Sequence, residues 1–271
     1  MPIPNEGYPL AAAVSPRLQV VEHVDSTNAK LVHDAAADPD GHPHLSVLLT
    51  RDQRAGRGRL DRSWVAPPGT ALAISVLLRV AAVPIADRGW IPLLAGAALR
   101  DAVAAQLPGA EVTLKWPNDV LVAAAPDSGA SADPRKISGI LAEVVPSDPM
   151  AVVVGAGVNT TMPTGDLPVP TATSFADQGR DVDEDRLIAD YLTALRDGIA
   201  DLAVGGHDAV AERVNAHCGT LGSDVAVSLP GRDADDALRG RALRLDDEGR
   251  LVVLSGGLET AVGAGDVVHV R

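Results

Sequence analysis

Apolar and polar positions follow two rhythms along this chain of 271 residues. Leu18 to Val24 alternates as a half-buried strand does, and Ser46 to Arg51 and Thr70 to Val80 are β-branched, leucine-rich runs that predict two more strands. Residues 34–44 form a turn-rich loop, and Pro67-Pro68-Gly69 supplies a turn. Gly89 to Leu107 places Ile91, Leu94, Ala98, Val103 and Leu107 at helical spacing, which predicts a core-packed helix. Glu111 to Trp116 alternates again, and Pro117-Asn118-Asp119 turns it into Val120-Leu121-Val122 as a hairpin. Lys136 to Glu143 and Met150 to Val158 read as strands, whereas Leu187 to Ala203 and Asp208 to Cys218 read as helices.

The last fifty residues change character. Short apolar runs (Val225 to Leu229, Ala242 to Leu245, Leu251 to Leu254, Val267 to Val270) alternate with glycine-rich turns, the pattern of a small β-barrel. The chain therefore divides into a flexible, proline-rich tail (1–16), a large α+β domain (17–218) and a C-terminal barrel (219–271).

Composition narrows the function. Apolar residues make up 46% of the chain but aromatics only 2%, so the core is built from Val, Leu, Ile and Ala. Lysine and arginine number 23 against 36 acids, a net charge of −13. That balance argues against nucleic acid and anionic membrane surfaces as partners, since both need a cationic footprint. The single cysteine, Cys218, rules out an internal disulfide and suits a reducing compartment. The opening M-P-I-P-N-E has neither a basic nor an apolar region, so no export signal is expected, and the expected location is the cytoplasm.

Against this acidic background, Thr50 to Trp64 concentrates Arg51, Arg54, Arg57, Arg59 and Arg62 beside only Asp52 and Asp61. Gly56 and Gly58 interleave with them. Glycine allows close backbone approach to a ligand and the arginine fork matches carboxylate and phosphate oxygens, so the segment predicts an anion-binding loop. Lysine occurs only at Lys30, Lys115 and Lys136; in an arginine-rich chain a retained lysine marks a place for a compact point charge. The cluster Asp25-Ser26-Thr27-Asn28 precedes a helical run and reads as an N-cap, or as a polar wall facing a cleft. Gly139 inside a strand marks a close approach. The P-loop pattern is absent, Gly155 to Asn159 offers only a G-x-G-x-N fragment, no G-x-S-x-G elbow occurs, and His42 and His44 lack the partners of a metal site.

Taken together and in order, D-S-T-N (25–28), Q-R-A-G-R-G-R (53–59), K-W-P-N-D (115–119), K-I-S-G-I-L (136–141) and G-A-G-V-N (155–159) resemble the biotin protein ligases, the biotin–[acetyl-CoA-carboxylase] ligases, over roughly residues 18–271. The resemblance implies a class II aminoacyl-tRNA synthetase-like catalytic domain, a mixed sheet with flanking helices, followed by an SH3-like barrel. It implies that biotin's carboxylate attacks the α-phosphorus of Mg·ATP, giving biotinyl-5′-AMP, and that a lysine of a biotin carboxyl carrier domain of acyl-CoA carboxylases then takes the acyl group. No protein nucleophile is required, only positioning and charge stabilisation.

By the same resemblance Ser26, Thr27, Asn28 and Gln53 hold the biotin head group, and Gly139 lets the ring approach a strand. Arg57, Gly58 and Arg59 close over the carboxylate and the nucleotide phosphate. Lys115 is the expected centre of charge stabilisation, with Arg59 beside it. Trp64, Asn118, Lys136 and Asn159 are expected toward the nucleotide; the metal ligands are left open. Two departures stand out: Asp61 occupies a position where glycine is common in relatives, and the insert 123–135 is longer than in compact relatives. Only about seventeen residues precede the first strand, too few for the DNA-binding domain some relatives carry. A monomer or a weak homodimer is expected. The rival readings are a lipoate–protein ligase of the same fold, a biotin-binding regulator with weak catalysis, and a scaffold keeping the fold alone.

Overall fold

Strand alternation sorts large from small side chains onto the two faces of one sheet. The computed structural model describes residues 7–60, 62–123, 133–229 and 236–270. The larger layer contains α1 (Pro9–Val14), β1 (Arg17–Val20), α2 (Thr27–Ala37), β2 (Ser46–Thr50), β3 (Gly56–Arg57), β4 (Ser63–Trp64), β5 (Ala71–Arg79), α3 (Ile91–Gln106), β6 (Glu111–Lys115), β7 (Asp119–Ala123), β8 (Arg135–Val145), β9 (Asp148–Asn159), α4 (Glu184–Gly205) and α5 (Asp208–His217). Seven of its strands form a sheet in the order β1-β2-β5-β9-β8-β7-β6, antiparallel except where β1 meets β2. One face carries Leu72, Ile74, Val76 and Leu78 of β5 and Val152, Val154 and Val158 of β9, packed in one cluster with residues of α3 and α4. The other face is narrower in chemistry. Leu48, Leu77 and Val153 pack there against Leu31 and Ala35 of α2, and beyond α2 the side chains shrink to Ala and Gly.

The helices start where capping chemistry permits. Ser26 caps α2 by accepting from the Ala29 N–H, and Asp183 caps α4 by accepting from the Arg186 N–H, each worth about 1 kcal/mol. Asp185, in the first turn of α4, also accepts from the backbone N–H groups of Leu10 and Ala11. This contact corrects the expectation of a loose tail: from Gly7 on, the segment is docked on α4, with Ala11 fully buried and the Tyr8 hydroxyl donating to Glu184. The partners lie some 175 positions away, beyond the reach of any local pattern. Residues 1–6 and the heart of the insert, 124–132, lie outside the described residues.

The C-terminal strands β10 (Asp224–Ser228), β11 (Leu238–Leu245), β12 (Leu251–Ser255), β13 (Leu258–Val262) and β14 (Asp266–His269) form an antiparallel sheet in the order β13-β12-β11-β10-β14. Two buried tryptophans pin it to the larger layer. The Trp90 indole N–H donates to the Asp247 carbonyl and that of Trp116 to the Gly249 carbonyl, both in the turn between β11 and β12. A buried indole needs a partner for its N–H, so each ring contributes apolar area and a directional bond. Trp116, inside K-W-P-N-D, is thereby a packing residue.

Candidate active site

Register places a row of small residues across the face opposite α3. Ala73, Gly157, Gly139 and Asp119 are successive partners on β5, β9, β8 and β7, and Lys115 on the edge strand β6 ends the row. Directly paired residues point to the same face, so the row is a floor. A cavity of about 130 Å³ stands on it. The glycines are required by what covers them. A Cβ at Gly155 would lie 2.3 Å from Asn28 Oδ1, and one at Gly157 would lie 2.5 Å from the Trp64 indole. The indole rests over Gly157 and Gly139, with Lys136 Nζ 5.7 Å from its ring centroid.

One end of the cavity is neutral and rich in hydrogen-bonding groups. The Thr27 N–H and hydroxyl both donate to Gln53 Oε1, at 2.8 and 3.0 Å. With that oxygen satisfied, Gln53 has its amide N–H groups to offer. Asn28, only 4% exposed, is fixed from three sides: Nδ2 donates to the Leu141 carbonyl (3.1 Å) and to Glu143 Oε2 (2.9 Å), and Oδ1 accepts from the Ser75 hydroxyl (2.6 Å). Both of its N–H donors are engaged, so Asn28 can add only an acceptor lone pair. The Ser26 oxygen accepts the capping bond and its hydrogen remains available as a donor. This end thus offers donors and acceptors side by side.

The other end is cationic. Arg59, Arg62 and Lys136 line it, with Asp119 and Asp266 as the counter-charges, while Arg57 is joined to Asn28 of the neutral end through Glu143. Arg57 pairs with Glu143 at 2.9 Å, Arg62 pairs with Asp266 at the start of β14, and Arg59 reaches Asn118 Oδ1 at 3.5 Å. Lys136 Nζ approaches Asp119 Oδ1 to 2.6 Å, yet that oxygen makes no aligned hydrogen bond; the attraction is Coulombic. Burial lowers the affinity of Arg59 for its proton, with Asp119 opposing and Arg62 adding to the effect. β3 and β4 pair as a short hairpin that carries Arg57, Ser63 and Trp64 over the floor, and Leu60 at its tip takes φ = 53°, a left-handed conformation unusual for leucine.

Lys136 reaches the cavity through an irregularity. Val120 pairs with Ser138 but Leu121 pairs with Lys136, so the register passes over Ile137. Regular alternation would put Lys136 and Gly139, three apart, on opposite faces. The extra residue reverses the phase, Ile137 is fully buried, and Lys136 Nζ lies 3.0 Å from where a Gly139 Cβ would be.

Of the residues proposed from sequence, Ser26, Thr27, Asn28, Gln53, Arg57, Gly58, Arg59, Trp64, Asn118, Lys136 and Gly139 line one cavity. Lys115 and Asn159 are not among the described lining residues. Lys115 lies one strand beyond Asp119, and burial depresses its pKa, with Asp119 opposing and Lys136 and Arg62 reinforcing the shift. Asn159 is buried at the end of β9, donating to the Thr173 carbonyl. Arg51 is an internal strut paired with Glu184, and Arg54 pairs with Asp52. Asp61 lies outside the described residues. Asp119, Gly155, Gly157 and Asp266 also line the cavity but were not among the residues proposed from sequence, whereas Arg62 was counted in the anion-binding loop. The alternating glycines of G-A-G and the acid closing K-W-P-N-D were signals for three of these four, read singly; Asp266, about two hundred positions from Arg62, had no local signal.

An α+β layer that holds a cavity with hydrogen-bonding and cationic walls beneath an arginine hairpin is the architecture of a protein suited to small anionic ligands. Residues 21–159 match the model of the biotin/lipoate A/B protein ligase family. The biotin–[acetyl-CoA-carboxylase] ligase of Mycobacterium tuberculosis is 40% identical over 94% of this chain and 90% of its own length. That of Paracoccus denitrificans is 29% identical, covering 86% and 92%. The biotin protein ligase of Aquifex aeolicus, solved in complex with biotin and ATP, superposes with a TM-score of 0.73 at 22% identity over 94% of this chain and 99% of that one. The chain belongs to the biotin/lipoate A/B protein ligase family.

Proposed function

We propose that the protein is an ATP-dependent biotin protein ligase, which forms biotinyl-5′-AMP and transfers the biotinyl group to a lysine of a biotin carboxyl carrier domain. The observation that carries this choice within the family is the neutral end of the cavity. A urea presents one carbonyl acceptor flanked by two N–H donors. Gln53 and Ser26 supply donors for the carbonyl, and Asn28 Oδ1 supplies an acceptor for an N–H. Lipoate's dithiolane has neither group and would leave these polar atoms unpaired, a loss that lets such sites discriminate by on the order of 10⁴-fold. The 40% identical relative named as a biotin ligase supports the same choice.

The cationic end suits the chemistry. A carboxylate attacking a phosphate brings two anions together, and the approach is unfavourable until cations lie between them. Lys136, Arg59 and Arg62 are the cations the cavity lining offers for that role, with Arg57 beside them. Magnesium enters with the nucleotide as Mg·ATP. In the first step a biotin carboxylate oxygen bonds to the α-phosphorus and pyrophosphate leaves. In the second, the carrier lysine's amine bonds to the acyl carbon, AMP leaves, and the ammonium proton is lost to solvent. The site supplies position and charge and no covalent partner. On this reading the larger layer is class II synthetase-like, the C-terminal sheet is an SH3-like barrel, and Asp266 on β14 reaches the site from it. The place of action is the cytoplasm.

The test offers biotin and lipoate together, at equal concentration, to the purified protein with Mg·ATP and a carrier domain. Mass spectrometry is expected to show biotin on one carrier lysine. Lipoyl transfer in preference, or no transfer of either acid, overturns the proposal.

A further inference from the structure

We propose that Glu143 is a positioning residue that determines what the head-group wall recognises, by engaging the Asn28 Nδ2 donor so that the amide can offer a ligand only its oxygen. The inference rests on the biotin-ligase reading and assigns a determinant of its specificity.

An asparagine amide can be turned over at little intrinsic cost, since its oxygen and nitrogen ends are nearly the same shape. Which end meets a ligand depends on the partners behind it. Three partners act here, from two strands. The Ser75 hydroxyl on β5 donates to Oδ1, and the Leu141 carbonyl and the Glu143 carboxylate on β8 accept from Nδ2. The carbonyl, and the carboxylate while ionised, can only accept, so they dictate the nitrogen's place. The Ser75 hydroxyl is both donor and acceptor and dictates nothing alone. The Leu141 contact is the longer, at 3.1 Å against 2.9 Å for Glu143, and a bond to a charged acceptor is roughly twice as strong as a neutral one. Glu143 is therefore the principal lock.

A carboxylate so near the head-group wall would itself attract any cationic ligand. Arg57 removes that option: its guanidinium lies 2.9 Å from Oε1 and 3.1 Å from Oε2, balancing the charge. Glu143 is not among the described residues lining the cavity, so its effect on a ligand passes through the two lining residues it holds, Asn28 and Arg57, and of these routes only that through Asn28 distinguishes one ureido N–H from the other. The close packing of Asn28 on Gly155, where a Cβ would stand 2.3 Å from Oδ1, leaves the amide no route to swing away as a whole. Turning over is the freedom that remains, and Glu143 suppresses it.

The test compares Glu143→Met and Glu143→Gln with the wild type in pyrophosphate release, using biotin and the two biotins methylated at one or the other ureido nitrogen. Methylation removes one N–H donor. The wild type is expected to reject strongly the isomer lacking the N–H that faces Asn28. Glu143→Met, which removes the acceptor and keeps the side-chain length, is expected to raise the KM for biotin about tenfold and to reduce discrimination against that isomer about tenfold. Glu143→Gln still has an acceptor oxygen for Nδ2 and is expected to retain the discrimination. A loss of activity on all three acids in parallel shows a role in packing alone and overturns the proposal, as does loss of discrimination in the Gln variant. Should Glu143→Met fail to fold, a structure of the wild type with biotin decides the matter: Asn28 Nδ2 facing the ligand, or no contact between Asn28 and Glu143, overturns it. Wild-type protein that forms no biotinyl-adenylate strikes the functional reading instead and is seen before any variant is made.

Discussion

On the face of the sheet turned toward α3 and α4, β5 presents Leu72, Ile74, Val76 and Leu78, each fully buried. On the opposite face the same strand presents Ala71, Ala73 and Ser75, and β9 adds Gly155 and Gly157. One alternation serves two purposes. The large face supplies stability through apolar burial, at about 25 cal/mol per Å² removed from water. The small face gives up that contribution and leaves the backbone open to an amide, an indole and a cavity. The cavity lies where packing was withheld.

Two lysines at different distances from the small face give the largest expected contrast. Lys136→Ala should slow biotinyl-adenylate formation by 10²–10³-fold, the scale for removing one preorganised stabilising group, while the melting curve hardly moves. Lys115→Ala, one strand farther out, should cost about tenfold or less on the same scale. Pyrophosphate release under saturating substrates ranks them, and a deeper loss in Lys115→Ala would move the centre of charge to the edge strand.

Matched substitutions on the two faces come next. Ile74→Ala should lower unfolding free energy by about 2–5 kcal/mol with KM for biotin unchanged at a permissive temperature. Gly157→Ala adds a methyl 2.5 Å from the indole of Trp64 and should do the reverse: a change of about 1 kcal/mol or less in stability, but a KM for biotin raised at least about tenfold. Urea titration beside steady-state kinetics reads both. Equal effects on the two quantities in both variants would dissolve the division between the faces.

The smallest effect is expected far from the cavity, at His44. Burial lowers its pKa below 6.5, with the Arg79 charge adding to the shift, and its Nδ1 accepts from the Arg79 backbone N–H. The unfolded chain takes up that proton first, so this contribution to stability is present above pH 6.5 and is lost as pH falls through the folded-state value. His44→Gln, which retains an acceptor, should flatten that part of a stability-versus-pH curve.

Much of this could be read from the chain. Period and turn chemistry located the strands and the core helices to within a few residues, and the α2 cap was legible because Ser26 acts on a neighbour three positions away. The arginine loop stood out because its charge opposed the background. Other features were not legible for equally physical reasons. A helix at Pro9–Val14 depends on Asp185 and Glu184, and three of the five arginines of the loop line the cavity while Arg51 and Arg54 are paired off elsewhere.

By itself the sequence determined which residues alternate, where the chain turns, and which rare cations sit inside which motifs, since these depend on neighbours within a few positions. Tertiary structure decided which lysine lines the cavity among the described residues. Lys115 and Lys136 look equivalent in the chain, and strand alternation counted from Gly139 even turns Lys136 toward the core. One residue passed over at Ile137 reverses that phase, and the pairing that forces it is made with another strand, out of reach of local pattern.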